Sequence, residues 1–258
     1  MIVFDLDDTL TLTKSEISPQ GAELLTRLIA MRPVCVISGS RFEQFELQIL
    51  NSLQAMPEVK ASPELLVNLH LMPTCGTRYY RWGSDGDWYQ VYSEDLTDDE
   101  RATAKQVLTD SAHELGYWEP RIWGERIEDR GSQVTFSALG QVAPPELKAQ
   151  WDPTGAKKRR MRERVAELLP GLEVRSGGTT SIDITRKGID KAYGLRKLVD
   201  ATALEPAEIL FIGDSFAEHG NDYPAVEAGV RCIAVANHNE TAQLIECILS
   251  VLSEQDAP

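Results

Sequence analysis

Residues 1–10 read MIVFDLDDTL, in which the apolar run from Ile2 to Phe4 leads directly into a turn rich in aspartate. This run predicts a short buried strand that ends at Asp5. Apolar residues then recur at helical spacing over 20–30, and PVCVI at 33–37 predicts a second buried strand. Because strands that alternate with helices build parallel sheets, this segment predicts a parallel sheet with helices on both faces.

The alternation extends along the chain and is interrupted once. The pattern predicts further core elements, namely a helix over 41–50, a strand over 66–72, a helix over 189–199, a strand over 209–212, a helix over 225–228 and a strand over 232–235. The interruption contains a long amphipathic helix over 97–115, an alternating stretch over 133–136 and a basic helix over 157–169.

We therefore predict an α/β fold with one insertion. The core is a Rossmann-like parallel sheet with helices on both faces, formed by residues 1–83 and 186–258. Residues 84–185 form an inserted α+β cap domain, because their pattern departs from the regular strand–helix alternation on either side.

The charge of the chain restricts its partners. Its 258 residues include 40 acidic and 26 basic side chains, which gives a formal net charge of −14. Nucleic-acid binders concentrate Lys and Arg on one face, so this balance argues against a nucleic acid and against an anionic membrane surface. A small anionic substrate remains compatible with it, because such a ligand needs only a locally positive pocket or a bound metal ion.

Cysteine usage and the N-terminus indicate a cytoplasmic protein. The four cysteines are widely spaced and form no Cys-x-x-Cys pair, which favours a reducing compartment. The N-terminus has no basic segment of a signal peptide, and no apolar run approaches the ~18 residues of a membrane helix. The sequence leaves the oligomeric state open, with a homodimer as one alternative.

Two carboxylates, those of Asp5 and Asp7, stand one residue apart in the turn that leaves the first strand. At this spacing they can point into one pocket, where one attacks phosphorus and the other handles the proton. A divalent cation such as Mg²⁺ would neutralise the crowded charge. The alternative is an ordinary aspartate-rich turn in which Thr9 caps a helix.

Three further segments supply polar groups of the same kind. Ser38 stands beside a glycine, where its hydroxyl suits a phosphoryl oxygen. The alternative is a helix N-cap at Ser38 or Ser40. Lys191 opens a helix and would stabilise a transferring phosphoryl group, unless it is a solvated surface lysine. Asp214 follows an apolar strand, and Asn221 and Asp222 follow it closely in a loop that suits Mg²⁺.

The order of these segments favours the chemical interpretation over the separate alternatives. Ligands bind at the carboxyl edge of an open parallel sheet, and these groups follow predicted core strands or open a core helix. Independent caps and turns would not need to line one edge. The combination predicts a phosphoryl-transfer site.

The motifs DLDDTL, Ser38, Lys191 and GDS followed by GND resemble, in this order, the four motifs of the haloacid dehalogenase superfamily of phosphotransferases. The resemblance covers the whole core. It implies that Asp5 is the nucleophile, that Asp7 is the general acid and base, and that Ser38 and Lys191 bind phosphate.

The resemblance also implies a magnesium site. Its ligands would be Asp5, the backbone carbonyl of Asp7 and Asp214, with Asn221 and Asp222 supporting the metal or its waters. The next residue, Asp8, departs from the pattern, since glycine is usual there, but this change removes none of the matched groups.

The cap resembles that of the eukaryotic-type phosphomannomutases and related sugar-phosphate phosphatases. The resemblance rests on GGTTSID at 177–183, on GIDKAYGL after it and on the extended loop GDSFAEHGNDYP. It implies that the cap sets substrate specificity and that Arg130, Ser181 and Asp183 bind the substrate. Gln141 stands where a mutase arginine is expected, and Trp123 stands near the position of another.

Together these features predict an Mg²⁺-dependent phosphatase that acts on a small phosphorylated metabolite, a sugar phosphate, through an aspartyl phosphate. The alternative is a phosphomannomutase-type mutase, which returns the phosphoryl group to another hydroxyl of the sugar. A mutase must grip two phosphates in turn, and bidentate guanidinium groups do this best. A third alternative is a non-catalytic sugar-phosphate-binding protein, which would need neither a nucleophile nor an acid/base.

Overall fold

The computed structural model describes residues 1–218 and 220–255. The chain divides into two compact units. The core unit comprises residues 1–93 together with the described residues from 189 onward, and the cap unit comprises residues 94–188. None of the helices in these described ranges combines the length and the apolar composition that crossing a membrane requires.

The first part of the core unit begins with β1, and Ser18 caps its first long helix by accepting a hydrogen bond from the backbone N–H of Gly21. Its elements are β1 (Ile2–Phe4), α1 (Pro19–Met31), β2 (Val34–Ile37), α2 (Phe42–Phe45), a π-helix (Glu46–Leu50), α3 (Asn51–Ala55), α4 (Pro57–Ala61), a 3₁₀ helix (Pro63–Asn68), β3 (Leu69–Met72), a second 3₁₀ helix (Thr74–Gly76), β4 (Arg78–Trp82) and β5 (Trp88–Ser93).

The rest of the chain forms the cap unit and then returns to the core. The cap elements are α5 (Asp98–Glu114), β6 (Ile127–Asp129), β7 (Gln133–Ser137), α6 (Pro145–Trp151), α7 (Ala156–Leu168), β8 (Leu172–Ser176) and β9 (Ser181–Arg186). The core continues with α8 (Lys191–Thr202), a 3₁₀ helix (Pro206–Glu208), β10 (Leu210–Gly213), α9 (Tyr223–Glu227), β11 (Arg231–Ala234) and α10 (His238–Gln255).

The core sheet has seven strands in the order β11-β10-β1-β2-β3-β4-β5. The strands from β11 to β3 are parallel, and β4 and β5 add an antiparallel hairpin at one edge. Phe4 on β1 lies beside Val36 on β2 and Ile212 on β10. The residues that follow these three strands therefore meet at one edge of the sheet.

Helices cover both faces of this sheet. Phe4 belongs to a buried cluster that includes Leu25 of α1 and Ile245 of α10. Val3, which points to the opposite face, belongs to a second cluster with Leu195 of α8 and other apolar residues. This arrangement confirms the predicted fold class.

The structure differs from the predicted organisation in three details. The first division between the units falls at 93/94 rather than at 83/84, because β5 pairs with β4 and so belongs to the core sheet. The second division falls at 188/189 rather than at 185/186. The strand expected over 66–72 begins only at Leu69, because a 3₁₀ helix occupies the three residues before it.

The cap unit is an antiparallel sheet with helices on one face. Its strand order is β6-β7-β9-β8, and α5 begins with a capping box between Thr97 and Glu100. Phe136 on β7 packs in one buried cluster with Leu108 of α5 and Val165 of α7. Because side chains alternate along a strand, the polar residues of β7 lie on the opposite face of the sheet.

His70 on β3 is a buried titratable side chain whose environment favours the neutral form. Its Nδ1 lies 2.7 Å from the hydroxyl of Tyr79, and burial, reinforced by the charge of Arg81, lowers the pKa of His70 to about 3. The folded pKa thus lies below the unfolded value of 6.5. Neutral His70 therefore favours folding above pH 6.5, and this contribution is lost as the pH falls toward 3.

We expect the substitution His70→Gln to reduce the acid sensitivity of the fold. Between pH 7.5 and pH 5, the free energy of unfolding of the wild type should fall by about 2 kcal/mol more than that of the variant. Urea denaturation at the two pH values measures this difference. His113→Gln, an exposed histidine on α5, serves as the control and should keep the wild-type pH dependence. An unchanged pH dependence in His70→Gln would contradict the assignment.

Candidate active site

Three carboxylates meet at the edge of the core sheet where β1 and β10 end. Asp5 follows β1 directly, Asp214 follows β10 directly, and Asp222 lies at the start of α9. One carboxylate oxygen from each of the three lies within 4.8 Å of the others. Asp5 and Asp222 are buried, and Asp214 is partly exposed. The sheet topology, rather than proximity in sequence, brings them together.

A buried lysine lies between two of these carboxylates. Lys191 is the first residue of α8, and its side chain is only 2% exposed. Its Nζ lies 2.6 Å from Oδ1 of Asp5 and also donates to Oδ1 of Asp222. The alternative of a solvated surface lysine is therefore wrong.

Glycine at the end of β10 makes room for this ion pair. A Cβ at Gly213 would overlap the carboxylate of Asp222, so a larger residue would displace that carboxylate. The backbone N–H of Ser215 donates to Oδ2 of Asp222 at 2.9 Å. Both oxygens of Asp222 thus have partners, and this residue serves first to hold Lys191.

The charges of the cluster are not balanced. Burial raises the pKa of Asp5, and the positive charge of Lys191 opposes that rise. Burial likewise raises the pKa of Asp214, which accepts a hydrogen bond from the hydroxyl of Thr9 at 3.1 Å. The pKa of Lys191 rises because two carboxylates stabilise its charge against the cost of burial. One cation thus faces three carboxylates, and the site as a whole favours a further positive charge.

The donor set fits a hard divalent cation. Oδ2 of Asp5 is buried and has no hydrogen-bond partner among the described residues, although a buried carboxylate oxygen normally has one. Carboxylate oxygens from Asp5 and Asp214, completed by waters, form the kind of set that Mg²⁺ prefers. Asn221 has an exposed side chain, and its support of the metal, like that of the Asp7 carbonyl, stays a prediction.

Asp7 is held by hydrogen bonds at both carboxylate oxygens. Oδ1 accepts from the backbone N–H of Lys14 at 2.9 Å and from Nε2 of Gln48 at 3.0 Å. Oδ2 lies 3.3 Å from the hydroxyl of Ser40. The neighbouring Asp8 has φ of 60°, and its carboxylate accepts from the N–H and the hydroxyl of Thr13. These bonds hold the turn in shape although Asp8 is not glycine.

Ser38 directly follows β2, beside the end of β1, and is buried. Its Oγ accepts a hydrogen bond from the backbone N–H of Ser40 at 3.1 Å. The residue that precedes the first turn of α2 is Arg41, which makes no side-chain cap. The alternative of a helix cap at Ser38 is therefore wrong, and its phosphate-binding role stays a prediction.

Comparisons with known proteins agree with this geometry. The sequence profile described as haloacid dehalogenase-like hydrolase matches residues 147–252. The phosphomannomutase of Triticum aestivum is 28% identical over 264 residues, which cover 98% of this chain and 96% of the relative. Human phosphomannomutase 1 is 24% identical over 86% of this chain and 81% of the relative.

The chain is a phosphoryl-transfer enzyme that resembles the haloacid dehalogenase-like hydrolases. This confirms the resemblance that the four motifs of the core indicate, including the likeness to phosphomannomutases.

Solved structures show a likeness of fold over nearly all of this chain. The IMP-nucleotidase of Plasmodium falciparum has a TM-score of 0.67 and 14% identity, covering 96% of this chain and 68% of that one. A haloacid dehalogenase-like hydrolase from Bacteroides thetaiotaomicron has a TM-score of 0.60 and 18% identity, covering 96% and 98%. At these identities the likeness concerns the fold alone.

Two of the three predicted substrate residues of the cap lie on β9, and the third, Arg130, lies in the turn between β6 and β7. Asp183 on β9 lies opposite Thr135 on β7, whose hydroxyl donates to its carboxylate at 2.7 Å. Ser181 lies two residues earlier on the same strand. The guanidinium of Arg130 pairs with Glu128 at 2.7 Å, so a substrate would share that arginine with a carboxylate. Their role in substrate binding stays a prediction.

Two residues of the candidate site lie outside the sequence-based prediction. For Thr9 the sequence indicates only a helix cap, whereas its hydroxyl contacts Asp214. Gln48 is not among the predicted site residues, although it contacts Asp7 from 41 residues away. One signal for it exists, because Gln48 lies three residues after the buried Phe45 and shares its helical face.

Proposed function

We propose that this enzyme is an Mg²⁺-dependent phosphatase that acts on a sugar phosphate through a phosphorylated Asp5. The observation that carries the proposal is the buried arrangement of Asp5, Lys191 and Asp222 beside Asp214. A nucleophilic carboxylate with an unpartnered oxygen lies beside a fixed cation at the edge of the sheet. A protein that only bound sugar phosphates would not need this arrangement.

Four residues of the chain have distinct roles in the proposed reaction. The carboxylate of Asp5 forms a bond to phosphorus while the bond from phosphorus to the leaving oxygen breaks. Asp7 gives a proton to the leaving alcohol. It later takes a proton from a water that attacks phosphorus, which breaks the bond between phosphorus and Asp5 and releases phosphate. Lys191 and Ser38 bind phosphoryl oxygens, so that charge is stabilised without further rearrangement.

Mg²⁺ held by Asp5 and Asp214 would neutralise negative charge where the phosphoryl group meets the carboxylates. We expect saturating Mg²⁺ to stabilise the wild type by about 2.7 kcal/mol at 100 times the dissociation constant, which corresponds to roughly 5 °C or more in Tm. Asp214→Asn should lose most of this shift, because it removes one of the two best carboxylate ligands.

Differential scanning calorimetry with and without Mg²⁺ measures the effect without requiring turnover. Asp200→Asn, an exposed residue on α8, is the matched control and should respond like the wild type. If Mg²⁺ raises the Tm of Asp214→Asn as much as that of the wild type, the result contradicts the proposed metal site.

A mutase is the second candidate function, because phosphomannomutases are among the relatives that match nearly the whole chain. The probable phosphomannomutase of Caenorhabditis elegans matches 98% of this chain at 24% identity. The hydrolase is preferred because Gln141 and Trp123 stand at or near positions where the resemblance expects arginines. The ring of Trp123 lies under the guanidinium of Arg121, which is a neighbouring cation of the same segment.

³¹P NMR of the enzyme with Mg²⁺, mannose 1-phosphate and a trace of hexose 1,6-bisphosphate separates the two functions. Growth of inorganic phosphate supports the phosphatase. Growth of mannose 6-phosphate without free phosphate supports the mutase and contradicts the preferred proposal. The same experiment with Asp5→Asn controls for contaminating phosphatases.

A further inference from the structure

The helix that follows β2 contains an unusual turn beside the candidate active site. Residues Glu46–Leu50 form a π-helix, in which the backbone N–H of Asn51 bonds to the carbonyl of Glu46 five residues earlier. Such widened turns are rare and often occur at functional sites. The middle residue of this one is Gln48, whose side chain is fully buried, whereas its neighbour Leu47 is 61% exposed.

Gln48 makes three hydrogen bonds to the loop that follows β1. Its Nε2 donates to Oδ1 of Asp7 at 3.0 Å and to the hydroxyl of Thr11 at 2.6 Å. Its backbone carbonyl accepts from the N–H of Ile17 at 2.7 Å. The loop that carries Asp5 and Asp7 is thereby tied to the helix across more than 30 residues of sequence.

The amide of Gln48 makes its contacts through its nitrogen alone. Its Oε1 is buried without a donor among the described residues, which is an unfavourable state for a polar atom. The opposite orientation of the amide would place this oxygen against the carboxylate of Asp7. The contacts with Asp7 and Thr11 thus fix the orientation of the side chain. They leave its Oε1 without a hydrogen-bond donor among the described residues.

We propose that Gln48 is a positioning residue that holds the carboxyl group of Asp7 for proton transfer to the leaving group. This inference rests on the proposed function, in which Asp7 donates its proton as the bond between phosphorus and oxygen breaks. Gln48 is neutral, so it orients Asp7 without adding charge to a site already crowded with carboxylates. Its side chain contacts the carboxylate of Asp7, so it acts through Asp7.

Two aryl phosphates separate positioning from a general role in stability. The leaving group of 4-methylphenyl phosphate is a phenol like that of tyrosine, whose pKa is about 10, and it needs a proton to leave well. p-Nitrophenol is far more acidic and leaves without one. The ratio kcat/KM reports the first phosphoryl transfer with each substrate, so the comparison isolates proton donation.

We expect Gln48→Met to lower kcat/KM for 4-methylphenyl phosphate about tenfold or more, since general acids contribute on the order of 10²–10⁴-fold. The value for p-nitrophenyl phosphate should stay within about threefold of the wild type. Gln48→Asn keeps the amide but shortens its reach, so it should show the same selective loss with less disturbance of the fold. Gln54→Met, an exposed glutamine on α3, is the control and should affect neither substrate.

Asp7→Asn, measured beside these variants, separates the inference about Gln48 from the proposed function on which it rests. If Asp7→Asn loses activity selectively and the Gln48 variants do not, the inference fails and the proposed function stands. Equal losses on both substrates in the folded Gln48 variants would indicate a structural role alone and overturn the inference. Full activity of Asp7→Asn on both substrates would overturn the proposed role of Asp7 and the inference together.

Discussion

Asp5→Asn is expected to reduce turnover to the background rate, a loss on the order of 10⁵-fold or more, as for other nucleophiles of covalent catalysis. The amide that replaces the carboxylate has nearly the same shape but cannot form the phosphorylated intermediate. Phosphate release from p-nitrophenyl phosphate in the presence of Mg²⁺ measures the loss. Asp200→Asn on the exposed face of α8 should retain wild-type activity.

The same substitution should not weaken the fold of the metal-free enzyme. Burial raises the pKa of Asp5 above its unfolded value of 3.8, so ionisation of this residue costs folding free energy as the pH rises above that value. Lys191 keeps its second partner, Asp222. At pH 8 in EDTA, Asp5→Asn should therefore be at least as stable as the wild type in urea denaturation. Surviving activity in a folded Asp5→Asn variant would contradict the assignment of the nucleophile.

Lys191→Met should have the largest effect on stability. Removing the lysine leaves Asp5 and Asp222 as buried carboxylates without their cation, and breaking a buried ion pair in this way costs about 3–5 kcal/mol. The loss should be greater in EDTA than in Mg²⁺, because a bound cation replaces part of the missing charge. Lys187→Met, at an exposed position before α8, is the matched control.

A double-mutant cycle separates lost charge from lost packing. Adding Asp222→Asn to Lys191→Met removes one of the uncompensated carboxylates, so the double variant should recover part of the free energy of unfolding. If the two substitutions destabilise the fold additively, Lys191 and Asp222 are not coupled, and the charge argument fails.

The core of the fold could be predicted because its strands are short and apolar, and because polar or charged residues follow them. Ile2–Phe4, Val34–Ile37 and Leu210–Gly213 form the centre of the sheet, as their sequences indicate. Once a parallel sheet is assumed, Asp5 and Asp214 both fall at its carboxyl edge, and the pairing of β1 with β10 brings them together. This part of the candidate site therefore required no knowledge of side-chain contacts.

The predicted boundary at 83/84 places β5 in the cap, because the composition of this strand resembles that of the segment that follows it. β5 is an edge strand with several exposed residues, including Tyr89 and Val91, and thus lacks the continuous apolar run of the buried strands. Its place in the core sheet depends on antiparallel pairing with β4, which local sequence does not specify.

The contacts of Gln48 are harder to predict from the sequence than the core strands are. A helix over 41–50 could be expected, but nothing in the local pattern specifies a π-turn within it. The contact between Gln48 and Asp7 spans 41 residues and depends on the loop folding back onto that turn. Likewise, only the fold shows that Lys191 is buried between two carboxylates.

Trapping of the intermediate tests the central claim most directly. The enzyme is mixed with p-nitrophenyl phosphate and Mg²⁺, quenched in acid, and treated with borohydride, which reduces a phosphorylated aspartate to homoserine. Peptide mass spectrometry then locates the modified residue. The account predicts homoserine at position 5 in the wild type and none there in Asp5→Asn. Modification at another residue, or turnover of the substrate without modification of Asp5, would contradict it.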